Sequence, residues 1–202
     1  MKTKNVIMAS IIVVSVAIIA ALFVLIQPPQ AAPNAAESKN QIVVLETSKG
    51  SIEIELYPDK APLTVANFLQ YVEEGHYDGT VFHRVMNGFM IQGGGFLPNG
   101  TQKPVHAPIK LESNNGVKNE IGTIAMARTN APDSATAQFF INVVDNAVLD
   151  YAQGNPGYAV FGHVISGMDT VNAIKVVSTS TRGMYENWPV EDVVITRAYV
   201  KR

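Results

Sequence analysis

The chain has 202 residues, no cysteine and a formal net charge of −2. Without cysteine there are no disulfides, thiolate zinc sites, thiol nucleophiles or cysteine-linked lipid anchors. The charge balance gives no basic footprint for nucleic acid, and 202 residues suffice for one ordinary domain plus an appendage.

Lys2 and Lys4 precede Val6–Ile26, an uncharged run in which only Ser10 and Ser15 are polar. As a helix it would span roughly 31 Å, about one bilayer core. Positive charge before the run predicts a cytoplasmic N-terminus and export of the remainder of the chain. An uncleaved anchor fits better than a cleaved signal peptide. Around Ala31, Ala32, Ala35 and Ala36, the −3 position falls on Pro29, Gln30, Pro33 or Asn34. A buried helix of the folded domain is the remaining reading. The predicted organisation is therefore an anchor or signal over 1–26, a Pro/Ala-rich linker over 27–41 and a domain over 42–202.

In the domain, 42–46 and 51–56 read as strands with Lys49-Gly50 in the turn. Ile52, Ile54 and Leu56 alternate with Glu53 and Glu55, the pattern of a half-buried strand. Thr64 is placed to cap a helix that carries Val65, Phe68, Leu69 and Val72 on one face and stops at Gly75. Further strands are predicted over 81–86, 89–93, 122–128, 138–144, 158–165 and 193–200, with a second helix over 168–174. Many short strands and few helices predict a mainly β fold, a closed antiparallel barrel.

No pair among His76, His83, His106 and His163 has ligand spacing, so no metal is called for. There is no G-x-S-x-G, and the Gly93-Gly94-Gly95 run lacks the Gly-Lys-Ser/Thr of a phosphate loop. No cofactor is expected. The most informative stretch is VFHRVMNGFMIQGGGF, Val81–Phe96. It sets one arginine, Arg84, and one amide, Gln92, on adjoining strands among Phe82, Phe89 and Met90. Alternation puts Met90 and Gln92 on one face and Phe89 on the other unless a bulge or twist intervenes. Taken singly, Arg84 reads as a rim arginine, Gln92 as a satisfied amide, and Phe89 and Met90 as core. Together they describe an apolar groove with a few fixed donors, suited to an extended peptide.

FHRVMNGFMIQGGGF, IGTIAMART, SATAQFFINVV and YAVFGHVISGMDTVNAI, in that order, closely resemble the cyclophilin family of peptidyl-prolyl cis-trans isomerases, bacterial branch. The likeness covers roughly 42–202. It implies an eight-stranded antiparallel barrel capped by two helices, with a peptide groove on its outer surface. By resemblance, Arg84 is the catalytic arginine. Phe89, Met90, Phe140 and Leu149 line a proline pocket. Gln92 and Gln138 offer amides to the peptide, and Ala127 and Arg128 form the edge along which it lies. The family commonly has Asn at the Arg128 position. Val148 stands where it often has Trp or Phe, so sensitivity to the family's cyclic peptide inhibitor is not implied. Tyr158 stands where many members have His. The implied activity is isomerisation of X-Pro bonds in proline-containing segments of folding client proteins outside the cytoplasm. Membrane contact would run through the N-terminal helix if it is uncleaved, and a monomer is expected. The rival reading is a barrel of this kind that binds such segments with little turnover.

Overall fold

A computed structural model describes residues 41–202. The anchor or signal segment and most of the linker lie outside the described residues. Among these residues no helix is long and apolar enough to cross a membrane.

Eight strands form one antiparallel sheet in the order β10-β1-β2-β7-β5-β6-β4-β3. They are β1 (Ile42–Thr47), β2 (Gly50–Leu56), β3 (Val81–Met86), β4 (Met90–Phe96), β5 (Thr123–Met126), β6 (Phe139–Asn142), β7 (Val160–Ser166) and β10 (Ile195–Val200). The two edges meet where Val81 bridges Val194, and where Ile195 N–H donates to the Thr80 carbonyl and Phe82 N–H to that of Val193. The sheet is thereby a nearly closed barrel, as the strand pattern predicts. Closure leaves few unpaired backbone edges. Observed strand ends fall inside several predicted ones; β5, for instance, stops at Met126 rather than Arg128.

The interior follows from alternation. Ile52, Ile54 and Leu56 of β2 point inward and are fully buried. Phe82, Ile91, Ile124, Phe139, Ile141 and Phe161 join them from other strands. Helix α1 (Pro62–Glu73) brings Phe68 onto the same core, its ring 5.7 Å from Phe139 and 5.0 Å from Phe161. Helix α2 (Met168–Lys175) buries Val171 and Ile174.

Thr64 does not cap α1. The N-cap is Ala61, which makes no side-chain cap bond. Glu112, distant in sequence, replaces it: its carboxylate accepts from the N–H groups of Leu63 and Thr64 and from the Thr64 hydroxyl. An anion there satisfies two orphan donors and the helix dipole together.

The hairpin β8 (Thr179–Arg182) and β9 (Tyr185–Pro189) has no counterpart in the predicted elements. β8 is polar and mostly exposed, and β9 is a short mix of polar and apolar residues, so no apolar period marks them. Trp188 holds it down instead. That ring is fully buried with Val81 and Phe96, and its Nε1–H donates to Asp192 at 2.8 Å. Arg182 lies 4.7 Å over the ring and also bonds Asp192.

His83 of β3 packs on this cluster, 4.7 Å from Phe96 and 5.9 Å from Trp188 between ring centroids. Burial lowers its pKa to about 4. A histidine in the unfolded chain titrates near 6.5, so below that pH the unfolded chain takes up the proton first. The stability is complete above pH ~6.5 and is lost as the pH falls toward 4. Burial also lowers the His76 pKa and adds in the same direction. The expected loss from His83 between pH 7 and pH 5 is about 2 kcal/mol in urea unfolding. The variant His83→Phe should lose less over that window. Equal pH slopes for the two proteins would contradict the assignment.

Candidate functional site

Four neighbouring strands, β4, β6, β5 and β7, are apolar on both faces. Their outward residues Met90, Phe140, Ala125 and Val160 form a second buried cluster, separate from the barrel interior. The register lines Gln92, Phe140, Ala125 and Val160 across the four strands. A sheet buried on both sides needs a cover on its outer face. Met86, Phe89, Val117, Ala127, Leu149 and Tyr158 supply part of one and leave an opening over Met90 and Phe140.

Arg84 reaches this face through an irregularity in β3. Phe82 pairs with Gly93 and Arg84 with Gln92, so His83 is an extra residue in the ladder. Phe82 and Val85 both join the barrel interior, three positions apart, which strict alternation forbids. The bulge turns His83 and Arg84 outward together. Arg84 is half-buried, 6.0 Å from the Phe89 ring, and its guanidinium makes no hydrogen bond or ion pair among the described residues.

The glycine run makes room for the amides. On β4, Gly94 and Gly95 are extra residues between the pairs Val81–Phe96 and Phe82–Gly93. Gly94 has φ +84°, and a Cβ there would stand 2.8 Å from Tyr77 and 3.0 Å from Phe139. A Cβ on Gly95 would lie 2.6–2.7 Å from the Gln138 side chain. The missing side chain lets Gln138 lie flat, and its Oε1 accepts from Gln92 Nε2 at 2.9 Å. The same amide nitrogen lies 3.5 Å from Nε2 of His83. This leaves the Gln92 carbonyl oxygen without a donor among the described residues and available as an acceptor.

The walls are loops held by buried asparagines. Phe89 belongs to the β3–β4 turn, not to a strand, so alternation does not govern it and it leans over the pocket beside Met90. Asn146 donates to the Phe89 carbonyl and to Asn142, which donates to Thr123. Leu149 lies in a 3-10 turn, Ala147–Leu149. Its carbonyl accepts from Asn119 Nδ2 and from the Tyr158 N–H. On the far side, neither the N–H nor the C=O of Arg128 is bonded to another described residue. That backbone is free to pair with an extended ligand.

The opening is a pocket of about 100 Å³ lined by Arg84, Phe89, Met90, Gln92, Ala127, Arg128, Phe140, Leu149 and Tyr158. Drug-sized sites run to about 300–1,000 Å³, so this one suits a single small ring. Nine of the eleven predicted site residues meet here. Gln138 lies one step away, lining an adjoining depression. Val148 is 77% exposed and does not line the pocket. Trp188 belongs to the cluster behind His83 and does not stand in for it. The prediction missed Asn119, Asn142 and Asn146, and His83 as the support beneath Gln92. Asparagines at a strand end and a turn were the available signal. A wider, open depression of about 710 Å³ near Val72, Arg197 and Tyr199 lies elsewhere and holds none of the predicted site residues.

A family model for cyclophilin type peptidyl-prolyl cis-trans isomerase/CLD matches residues 42–200. Peptidyl-prolyl cis-trans isomerase B of Escherichia coli is 57% identical over 158 residues, covering 76% of this chain and 96% of the relative. Peptidyl-prolyl cis-trans isomerase A of Dickeya dadantii is 48% identical over 183 residues, 91% of this chain and 96% of the relative. Among solved structures, a cyclophilin type isomerase of Cryptosporidium parvum, crystallised in the presence of the dipeptide Ala-Pro, superposes with TM-score 0.67 at 27% identity. That match covers 80% of this chain and 99% of the other. A barrel carrying an arginine-rimmed ring pocket on its outer face, matched to these relatives over nearly all of the described residues, belongs to the cyclophilin-type peptidyl-prolyl cis-trans isomerase family.

Proposed function

We propose that the pocket over Met90 and Phe140 takes the proline ring of an X-Pro segment and that Arg84 is the catalytic residue. The observation that carries this is the guanidinium beside an apolar ring pocket, with no hydrogen-bond or ion-pair partner among the described residues. An X-Pro bond resists rotation because the nitrogen lone pair is shared with the carbonyl, a barrier of about 18–20 kcal/mol. As the bond twists, the nitrogen pyramidalises and regains that lone pair. A donor that meets the nitrogen only then favours the twisted form over both planar isomers, which is what raises the rate. Each 1.36 kcal/mol of preference gives about tenfold. Arg84 presents a rigid fork of donors, which lysine lacks. The Gln92 carbonyl and the Arg128 backbone hold the flanking peptide, and Phe89, Leu149 and Tyr158 keep water off the ring. No nucleophile or proton transfer is needed.

The clients we propose are exported proteins, with the enzyme tethered outside the cytoplasm. Lys2 and Lys4 before the uncharged Val6–Ile26 run support this. A linker of about 15 residues spans roughly 50 Å when extended and would let the domain reach chains near the membrane. The pocket is complete within one chain, which supports action as a monomer.

Residues 41–202 should catalyse exchange of an X-Pro test peptide. Arg84→Ala and Arg84→Lys should each lower kcat/KM by about a hundredfold or more, with circular dichroism unchanged. Wild-type rates in a folded variant would remove Arg84 from the chemistry. In cells, the full chain should fractionate with the inner membrane at its uncleaved mass and be digested by protease added outside the cytoplasm. Recovery with cytoplasmic proteins would refute the exported assignment.

A further inference from the structure

Arg128 is built as a fixed cation with no counter-ion among the described residues. Its Nε–H donates to the Gly157 carbonyl at 2.9 Å and an Nη1–H to that of Thr129 at 2.8 Å. The guanidinium stacks 4.5 Å over the Tyr158 ring. Those bonds engage only two of the five N–H donors of the group. No carboxylate among the described residues forms an ion pair with it. Arg182 makes the contrast. It stacks on Trp188 at a similar 4.7 Å, yet is neutralised by Asp192 at 3.0 Å.

The position of Arg128 gives the free donors a direction. It lines the ring pocket and also a second depression of about 190 Å³. That depression is lined by Gln102, Thr129, Ser134, Thr136 and Gln138 among others, with no acidic residue. A peptide whose proline sits over Phe140 passes Arg128 within one or two residues, at about 3.3–3.6 Å per residue. Most of the entropy cost of ordering a long cationic side chain is already met by the carbonyls and the stack, which favours pairing with an incoming anion.

Resting on the reading of the groove given above, we infer that Arg128 is a specificity-determining residue, selecting client segments with a carboxylate side chain within two residues of the isomerised proline. The planar guanidinium takes the carboxylate through its remaining N–H groups at the entrance of the polar depression. A lysine at the same peptide position is disfavoured by like charge.

The test uses peptides with proline flanked by glutamines, in which each of the two positions on either side becomes Glu or Lys in turn. Exchange is followed by NMR, which needs no coupling protease. The readout is the ratio of kcat/KM for each Glu peptide to its Gln isostere, so it does not depend on the basal rate of a variant. With wild-type protein this ratio should reach about three- to tenfold at one or more positions at low salt and shrink as salt is added. It should fall to about one in Arg128→Gln, and Arg128→Glu should prefer the Lys peptide. A wild-type ratio of one at every position, or one indifferent to salt, overturns the inference. A Glu preference undiminished in Arg128→Gln also overturns it and transfers the effect to Arg84. If wild-type protein fails to turn over even the all-Gln peptide, the reading of the groove fails, and the inference with it.

Discussion

The site depends on one backbone irregularity. Strict alternation along β3 would send Arg84 to the same face as Phe82, into the barrel. An unpaired guanidinium there would carry a desolvation penalty of several kcal/mol. The extra residue at His83 reverses the parity, so that Phe82 and Val85 stay inside while His83 and Arg84 turn out. The two glycines opposite absorb a compensating irregularity in β4 and bring Gln138 against Gln92. Cation, amides and ring pocket then share one surface. The bulge is a device for aiming side chains, and its consequence is chemical.

What that surface lacks is as informative as what it holds. Arg84 and Arg128 both line a small apolar pocket, and neither has a carboxylate partner among the described residues. Several charges elsewhere in the barrel are matched, Arg182 with Asp192, Lys201 with Glu53 and Lys118 with Asp150. An internal partner would lower the energy of the resting protein and draw the guanidinium away from the nitrogen that needs it. Leaving it unmatched keeps its field for a ligand. The cost stays tolerable because both arginines are only half-buried.

Much of this was legible in the residues. The Ile52–Glu53–Ile54–Glu55–Leu56 alternation, the apolar face of α1 and the spacing of strands and turns led to a barrel. The hairpin put Arg84 and Gln92 on adjoining strands; the three-residue turn through Phe89 makes them direct partners. Three things were not legible, and each is a long-range effect. The Glu112 carboxylate that caps α1 sits about fifty positions from the helix start, so local preference pointed to Thr64. The β8–β9 hairpin carries no apolar period and is held by one indole against β3 and β4. The asparagine chain from Thr123 through Asn142 and Asn146 to Phe89 exists only once the ends of β5 and β6, the segment after β6 and the β3–β4 turn converge. The placement of Phe89 was left open by alternation, and the turn that contains it settles the question.

The rim of the groove shows where this enzyme leaves affinity unused. Val148, at 77% exposed, and Tyr151, at 46%, form a low shoulder beside Leu149 and wall off little. The chain's one tryptophan is placed behind the site, where it steadies His83 and through it the Gln92 amide. Grip on a ligand therefore comes mainly from the ring pocket and from peptide backbone. That arrangement is consistent with the reaction: contacts equally strong with planar and twisted amides would tighten binding without raising turnover. Contacts outside the pocket help only if they choose among clients. Of the groups on the rim, the guanidinium of Arg128 is fixed, charged and unmatched, and so has the means to choose.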